Sequence, residues 1–397
     1  MSIARVCAIV LLGVAGVASA QSPTQIIAPG RPNEAASAVV RSDGLIYVGG
    51  TVGAAADGAV SGDIKAQAAR TLDNIAAMLK GHSTLGNVAK VTVSLRNVAD
   101  FPGLNEVFTK YFPKDPPART TIVTDGLSAP GALVEISVVA IPTGGERIVI
   151  LPKGWVRPTS PYSYGIKSGS TLFLAGLINR NGADNSSVPG DITAQTKTVM
   201  GNASAILEAA GMSLADVVSS RVFLTDPAGF QAMNTAYREF FPAAPPARAT
   251  VKAGMVAADA LIEITMVAVK DASRKAIIPP NADGTPGRPG GNLSPAIQVG
   301  RRLYVAGMTG NTPATKGDVK GQTVEVLTRL GRALRAAGYQ WSDVVDETAF
   351  LPDMARLAEM DAARREVYGK SFPARVTLGT PLMGADAIVE IMVTAVK

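Results

Sequence analysis

From Gly62 to Ile141 the spacing of apolar residues switches between helical and alternating. "GDIKAQAARTLDNIAAMLKGHS" (62–83) carries apolar positions at helical spacing and predicts a helix with Asp63 as its N-cap. "VAKVTVSLRN" (88–97) alternates with period two and predicts a strand. "DFPGLNEVFTKYF" (100–112) returns to helical spacing, with Asp100 as the expected cap. "ARTTIVTD" (118–125) and "LVEISVVAI" (133–141) predict two more strands. Upstream, "QII" (25–27) is a short strand, and "LIYVGGTVG" (45–53) is a strand that ends in glycines.

The same order then recurs. "GDITAQTKTVMGNASAILEAAG" and "GDVKGQTVEVLTRLGRALRAAG" restart the first helix at Gly190 and Gly317, each ended by a glycine C-cap. The steps from Gly62 are 190 − 62 = 128 and 317 − 190 = 127. Pro-Ala-Arg before a β-branched run places Arg119, Arg248 and Arg375 at steps of 129 and 127. A glutamate follows in each last strand: Glu135, Glu263 and Glu390. Signatures that share one period and one order mark a triplicated domain, with repeats expected at 21–143, 144–271 and 272–397. Each unit reads as β-β-α-β-α-β-β, an α+β sheet with both helices on one face.

Composition narrows the class. Apolar content of 47% with 18% charged residues is globular, and about 125 residues per repeat suffice for a core. Aromatic residues make up 5%, too few for stacking platforms that hold single-stranded nucleic acid. The formal charge of +6 is spread without a basic block, which argues against nucleic acid and suits small anions. "MSIARVCAIVLLGVAGVASA" reads as a signal peptide cleaved after Ala20, which predicts a periplasmic or secreted protein without a membrane anchor. Cys7, the one cysteine, lies inside that segment.

The chemistry left to such a chain is limited. With His82 as the one histidine, at a helix end, catalytic triads are excluded and neither a metal nor a cofactor is called for. Arginine and glutamate remain. Alternation puts Glu135 on the face opposite Val134, Ile136 and Val138. A carboxylate there needs a partner, and the arginine opening the preceding strand is the natural one. Two readings stay open: a structural ion pair copied with the domain, or a guanidinium fork that clamps a substrate carboxylate while the glutamate handles water.

Pro-Ala-Arg, the apolar-Glu-Ile strand and the Gly-Asp-x-x-x-Gln helix start together resemble the RidA/YjgF family, once per repeat over almost the whole chain. The resemblance implies chorismate-mutase-like domains, a homotrimer with substrate clefts between subunits, and cofactor-independent hydrolysis of 2-imino or enamine acids. It implies that Arg119, Arg248 and Arg375 bind the substrate carboxylate and that Glu135, Glu263 and Glu390 handle water. The family asparagine matches Asn105 and Asn234, where repeat 3 has Asp361. The family tyrosine matches Tyr162 alone, since repeats 1 and 3 read "EAASAV" and "LSPAIQ" there. Gly50, Gly176 and Gly307 match the glycine whose N–H meets substrate. Three fused copies then predict a monomer packed as a pseudo-trimer with unequal clefts, the dominant one including Tyr162, which faces either its own repeat's Arg248 with Glu263, the favoured choice, or a neighbouring repeat's arginine. The alternatives are an exported module that binds small anions without turnover, and a hydrolase or lyase acting on a cyclic carboxylate.

Overall fold

The structure is a computed structural model and describes residues 24–31 and 34–397. The expected signal peptide falls outside the described residues. Repeat 1 contains β1 (Gln25–Pro29), β2 (Ser37–Ser42), β3 (Leu45–Val52), α1 (Ile64–Leu79), β4 (Val88–Leu95), α2 (Phe101–Tyr111), β5 (Ala118–Val123) and β6 (Val134–Ala140). Repeat 2 contains β7 (Ile148–Ile150), β8 (Gly165–Ser168), β9 (Thr171–Leu174), α3 (Ile192–Ala209), β10 (Val217–Leu224), α4 (Phe230–Arg238), β11 (Ala247–Lys252), β12 (Gly254–Met255) and β13 (Ile262–Val269). Repeat 3 contains β14 (Lys275–Ile277), β15 (Ala296–Val299), β16 (Arg302–Thr309), α5 (Val319–Ala336), β17 (Val344–Phe350), α6 (Leu357–Tyr368), β18 (Ala374–Leu378) and β19 (Glu390–Val396).

The α+β unit is the expected one with an addition. A further strand (β2, β8, β15) forms a hairpin with the glycine-ended strand in each repeat. Within a repeat the sheet runs β5-β4-β6-β3-β2, with β5 parallel to β4 and the rest antiparallel. Asp63 caps α1 as expected, its carboxylate accepting from Ala66 N at 2.9 Å. Asp100 does not cap α2: its backbone is already helical, and Asn97 instead caps a short 3₁₀ turn that leads into the helix. A one-turn 3₁₀ lead-in shifts the cap upstream, which apolar periodicity does not reveal.

The signature glutamine of the first helix has a structural task. Gln67 donates to Gly62 O and Gly131 O and accepts from Leu133 N; Gln195 and Gln322 bind the corresponding loops. It therefore pins the turn just before the strand that carries the glutamate.

Each sheet has a helix-covered face and an inner face. In repeat 1, Leu72, Ile75 and Phe108 pack on Val91, Val93 and Ile136. The inner faces of all three repeats share a second core that includes Tyr47, Phe173, Tyr304, Val218 and Val345. The seams between repeats use one hydrogen bond in cyclic order: Ser163 N to Pro117 O (3.0 Å), Ser294 N to Pro246 O (3.2 Å) and Ser37 N to Pro373 O (2.9 Å). The proline of each Pro-Ala-Arg thus presents its carbonyl to the next repeat, and the ring closes from repeat 3 back to repeat 1.

Candidate functional site

The site is built at the seams. Arg119 opens β5 and Glu135 lies in β6, but β4 runs between those strands. Arg119 is registered with Val91 and Glu135 with Ser94, so the pair is separated by roughly 10 Å across the sheet and roughly 10 Å along it. The arginine and glutamate of one repeat therefore do not pair, contrary to the expectation from their order in sequence. Arg119 and Arg248 instead face the glutamate of the following repeat.

At the seam between repeats 1 and 2, Arg119 faces Glu263 and Tyr162 across a cleft of about 200 Å³. Phe101, Ile178, Val256 and Ala257 give this cleft apolar walls, and Thr159, Ser160 and Arg180 give it a polar rim. Tyr162 thus belongs with Arg119, not with Arg248 as expected. The Arg119 guanidinium is buried, stacks on Phe108 with 4.9 Å to the ring centroid, and donates through Nη2 to Asn105 Oδ1 at 2.8 Å. Its buried Nη1 has no hydrogen-bond partner among the described residues. Burial pulls its pKa down to about 10, so it stays charged at neutral pH. The cleft holds a guanidinium with a free donor and no carboxylate bound to it.

Glu263 accepts from Thr121 N at 3.3 Å. Burial pushes its carboxyl up to about 8, against the opposing pull of that N–H and of Arg119. Its position depends on Gly176, since a Cβ there would collide with the carboxylate. Gly176 N donates to Arg119 O at 3.1 Å, so this N–H is not free for a substrate as expected; the glycine's contribution is room. Burial also raises the Tyr162 hydroxyl and keeps it protonated.

At the seam between repeats 2 and 3, Arg248 donates to Asn234 Oδ1 at 2.5 Å, stacks on Tyr237 and lies near Glu390, which burial raises to about 8. Gly307 leaves room for Glu390 as Gly176 does for Glu263. The seam lacks a counterpart of Tyr162, because Leu293, which precedes Ser294 as Tyr162 precedes Ser163, stands in its place.

At the seam between repeats 3 and 1, Arg375 is consumed. It bonds Asp361 and lies 3.7 Å from Glu34, while Asp361 also accepts from Ala35 N at 3.2 Å. Arg364, in place of the aromatic Phe108 and Tyr237, is fully buried 2.8 Å from Glu347, and Glu347 accepts from Tyr368 at 2.8 Å. Glu135 beside Gly50 accepts from Ser128 N at 2.8 Å. The Arg/Glu signatures flag all three seams alike; the exchange of Asn for Asp361 is the sequence signal that sets this one apart. Sequence reasoning missed Arg180, Phe101 and Thr121, whose roles depend on which elements of different repeats meet at a seam.

The family model described as endoribonuclease L-PSP matches residues 29–142, 155–270 and 286–397. The chain belongs to this family, in three tandem copies. A RutC family protein from Sulfurisphaera tokodaii is 44% identical over 114 residues, which is 29% of this chain and 91% of that protein. One from Pyrococcus horikoshii is 43% identical over 123 residues, 31% of this chain and 98% of its own length. Among solved structures, the YjgF gene product of Escherichia coli is 32% identical and covers 31% of this chain and 98% of its own, with a TM-score of 0.30. Each relative is thus about one repeat long, and the resemblance to RidA/YjgF proteins holds for all three repeats.

Proposed function

We propose that the chain is a cofactor-independent deaminase, which hydrolyses small 2-imino or enamine carboxylic acids to 2-oxo acids and ammonia at one cleft, the seam between repeats 1 and 2. The observation that carries the reading is the buried, unpartnered Nη1 of Arg119 facing Glu263 and Tyr162 in an open cleft. Arg119 grips the substrate carboxylate through its free donor. Glu263, protonated near neutral pH, gives its proton to the imine nitrogen. The resulting carboxylate takes a proton from the attacking water as oxygen bonds to C2. It then returns that proton to the amino nitrogen of the carbinolamine, the C–N bond breaks, and the hydroxyl proton restores Glu263. A cleft of about 200 Å³ suits a small acid, and the apolar walls of Phe101, Ile178 and Val256 suit an aliphatic or small aromatic side chain.

The reading includes export of the chain and a monomeric ring, for which light scattering should return one chain's mass. RNA cleavage, the activity in the family's description, is less favoured, because a strand needs an extended basic, aromatic surface. The deciding experiment incubates the protein with an imino acid generated by an amino-acid oxidase and follows ammonia and ketoacid release. Release accelerated over buffer, and lost in Arg119→Ala, supports the reading. Stoichiometric binding of a carboxylate without acceleration assigns the chain to ligand capture instead.

A further inference from the structure

The ring encloses a second feature that no deaminase chemistry uses. The parallel pairing of each repeat places Lys90, Ser219 and Asp346 opposite the alanine of each Pro-Ala-Arg. These three are therefore equivalent positions facing the common axis, and two residues further on lie Thr92, Arg221 and Thr348. Three identical subunits would put three like charges at such a point. The fused chain instead supplies one lysine, one arginine and one aspartate.

They line an axial cavity of about 50 Å³, together with Tyr47, Phe173, Tyr304 and Thr394. Arg221 spans the axis, donating to Thr348 Oγ1 and Thr92 Oγ1, both at 3.3 Å. Among the described residues none of the three charged groups has an ion-pair partner within 4.0 Å, although Arg221 and Lys90 both attract the Asp346 carboxylate from farther off. Their formal charges sum to +1. Beside the two tyrosines, Arg302 is paired with Asp43 at 2.7 Å, which Arg301 also approaches at 3.7 Å.

We propose that the axial cavity is a binding site for one monovalent anion of halide size, held by Lys90 and Arg221. An uncompensated charge inside a protein is costly unless it is paired, and one small anion taken up together with the proton of Lys90 leaves the axis neutral. The volume, about 50 Å³ against about 200 Å³ in the cleft, suits an ion and a water molecule rather than a substrate-sized acid. Burial and the neighbouring Arg221 lower the Lys90 ammonium, and a bound anion would hold it charged.

The test uses the intact chain. Crystals grown in sodium bromide should show an anomalous peak in the axial cavity, within hydrogen-bond reach of Lys90 and Arg221. Thermal melts at matched ionic strength should give a higher, saturable melting temperature in chloride than in gluconate. In Asp346→Asn, where one more positive charge is uncompensated, half-saturation should fall to lower chloride. An empty or water-filled cavity in bromide crystals, with equal melting curves of the wild-type chain in both salts, would overturn the proposal and leave Lys90 as a neutral amine hydrated against Asp346. Because the melts use neither substrate nor turnover, the outcome is independent of the deaminase reading.

Discussion

The first and last seams of the ring start from the same arginine and end in opposite states. At the seam of repeats 1 and 2, Arg119 rests on the neutral Asn105 and the face of Phe108, and its charge is left for a ligand. At the seam of repeats 3 and 1, Asp361 and Glu34 neutralise Arg375, and Arg364 with Glu347 replaces the aromatic support. Asp361 occupies the guanidinium as a substrate carboxylate would. Two parts of the chain that no linker joins meet here, and a buried ionic network fills the space beside the guanidinium. A signature residue is functional only while its neighbours leave its charge unspent.

The contrast can be broken most directly at the glutamates. Glu263→Gln should lower kcat/KM on the order of 10²- to 10⁴-fold, the usual contribution of a general acid–base group. Glu135→Gln, at the blocked seam, should leave ketoacid release within about twofold. Arginine substitutions come next. Arg119→Ala should cost on the order of 30- to 3,000-fold in kcat/KM, for about 2–5 kcal/mol of lost carboxylate binding. Arg375→Ala should retain activity but lower stability by about 3–5 kcal/mol, read by denaturant melts, because Asp361 loses its principal counter-charge in a buried site. A folded Arg375→Ala protein as inactive as Arg119→Ala would make the two seams equivalent and end the comparison.

Acid and base sharpen it further. Glu263 must hold its proton, so kcat/KM should be level below about pH 8 and fall about tenfold per unit above it. Its raised pKa also means that the folded chain keeps a proton the unfolded chain releases near 4.5, so its contribution to stability declines as pH rises from there through about 8. Asp361 runs the other way: Arg375 holds its carboxyl below the ordinary 3.8 against the effect of burial, and its contribution is lost on acidification through that lowered value. Melting curves of Glu263→Gln should flatten the alkaline limb, and those of Asp361→Asn the acid limb. The smallest effect is expected from Tyr162→Phe, a loss of roughly 2- to 10-fold in kcat/KM from one hydrogen bond.

Much of the architecture was legible in local pattern. Helical and alternating periodicity located both helices and the long strands of each repeat, and Asp63 announced its helix because capping needs only neighbours three residues apart. The short strands β2, β8 and β15 escaped, since four to six residues rich in small side chains carry little periodic signal.

By itself the sequence determined that the domain occurs three times, that Arg, Glu and Gly mark every copy, that one tyrosine survives and that one asparagine has become Asp361. Tertiary structure alone decided which of these residues meet. Order along the chain joins Arg119 to Glu135, yet a parallel β5 on the outer side of β4 holds them apart and delivers Arg119 to Glu263 of the next repeat. The same packing brings Lys90, Arg221 and Asp346 to one axis from positions more than a hundred residues apart. Which strands of different repeats meet, and how the ring closes, are properties of the whole assembly of strands, and no local spacing of residues encodes them.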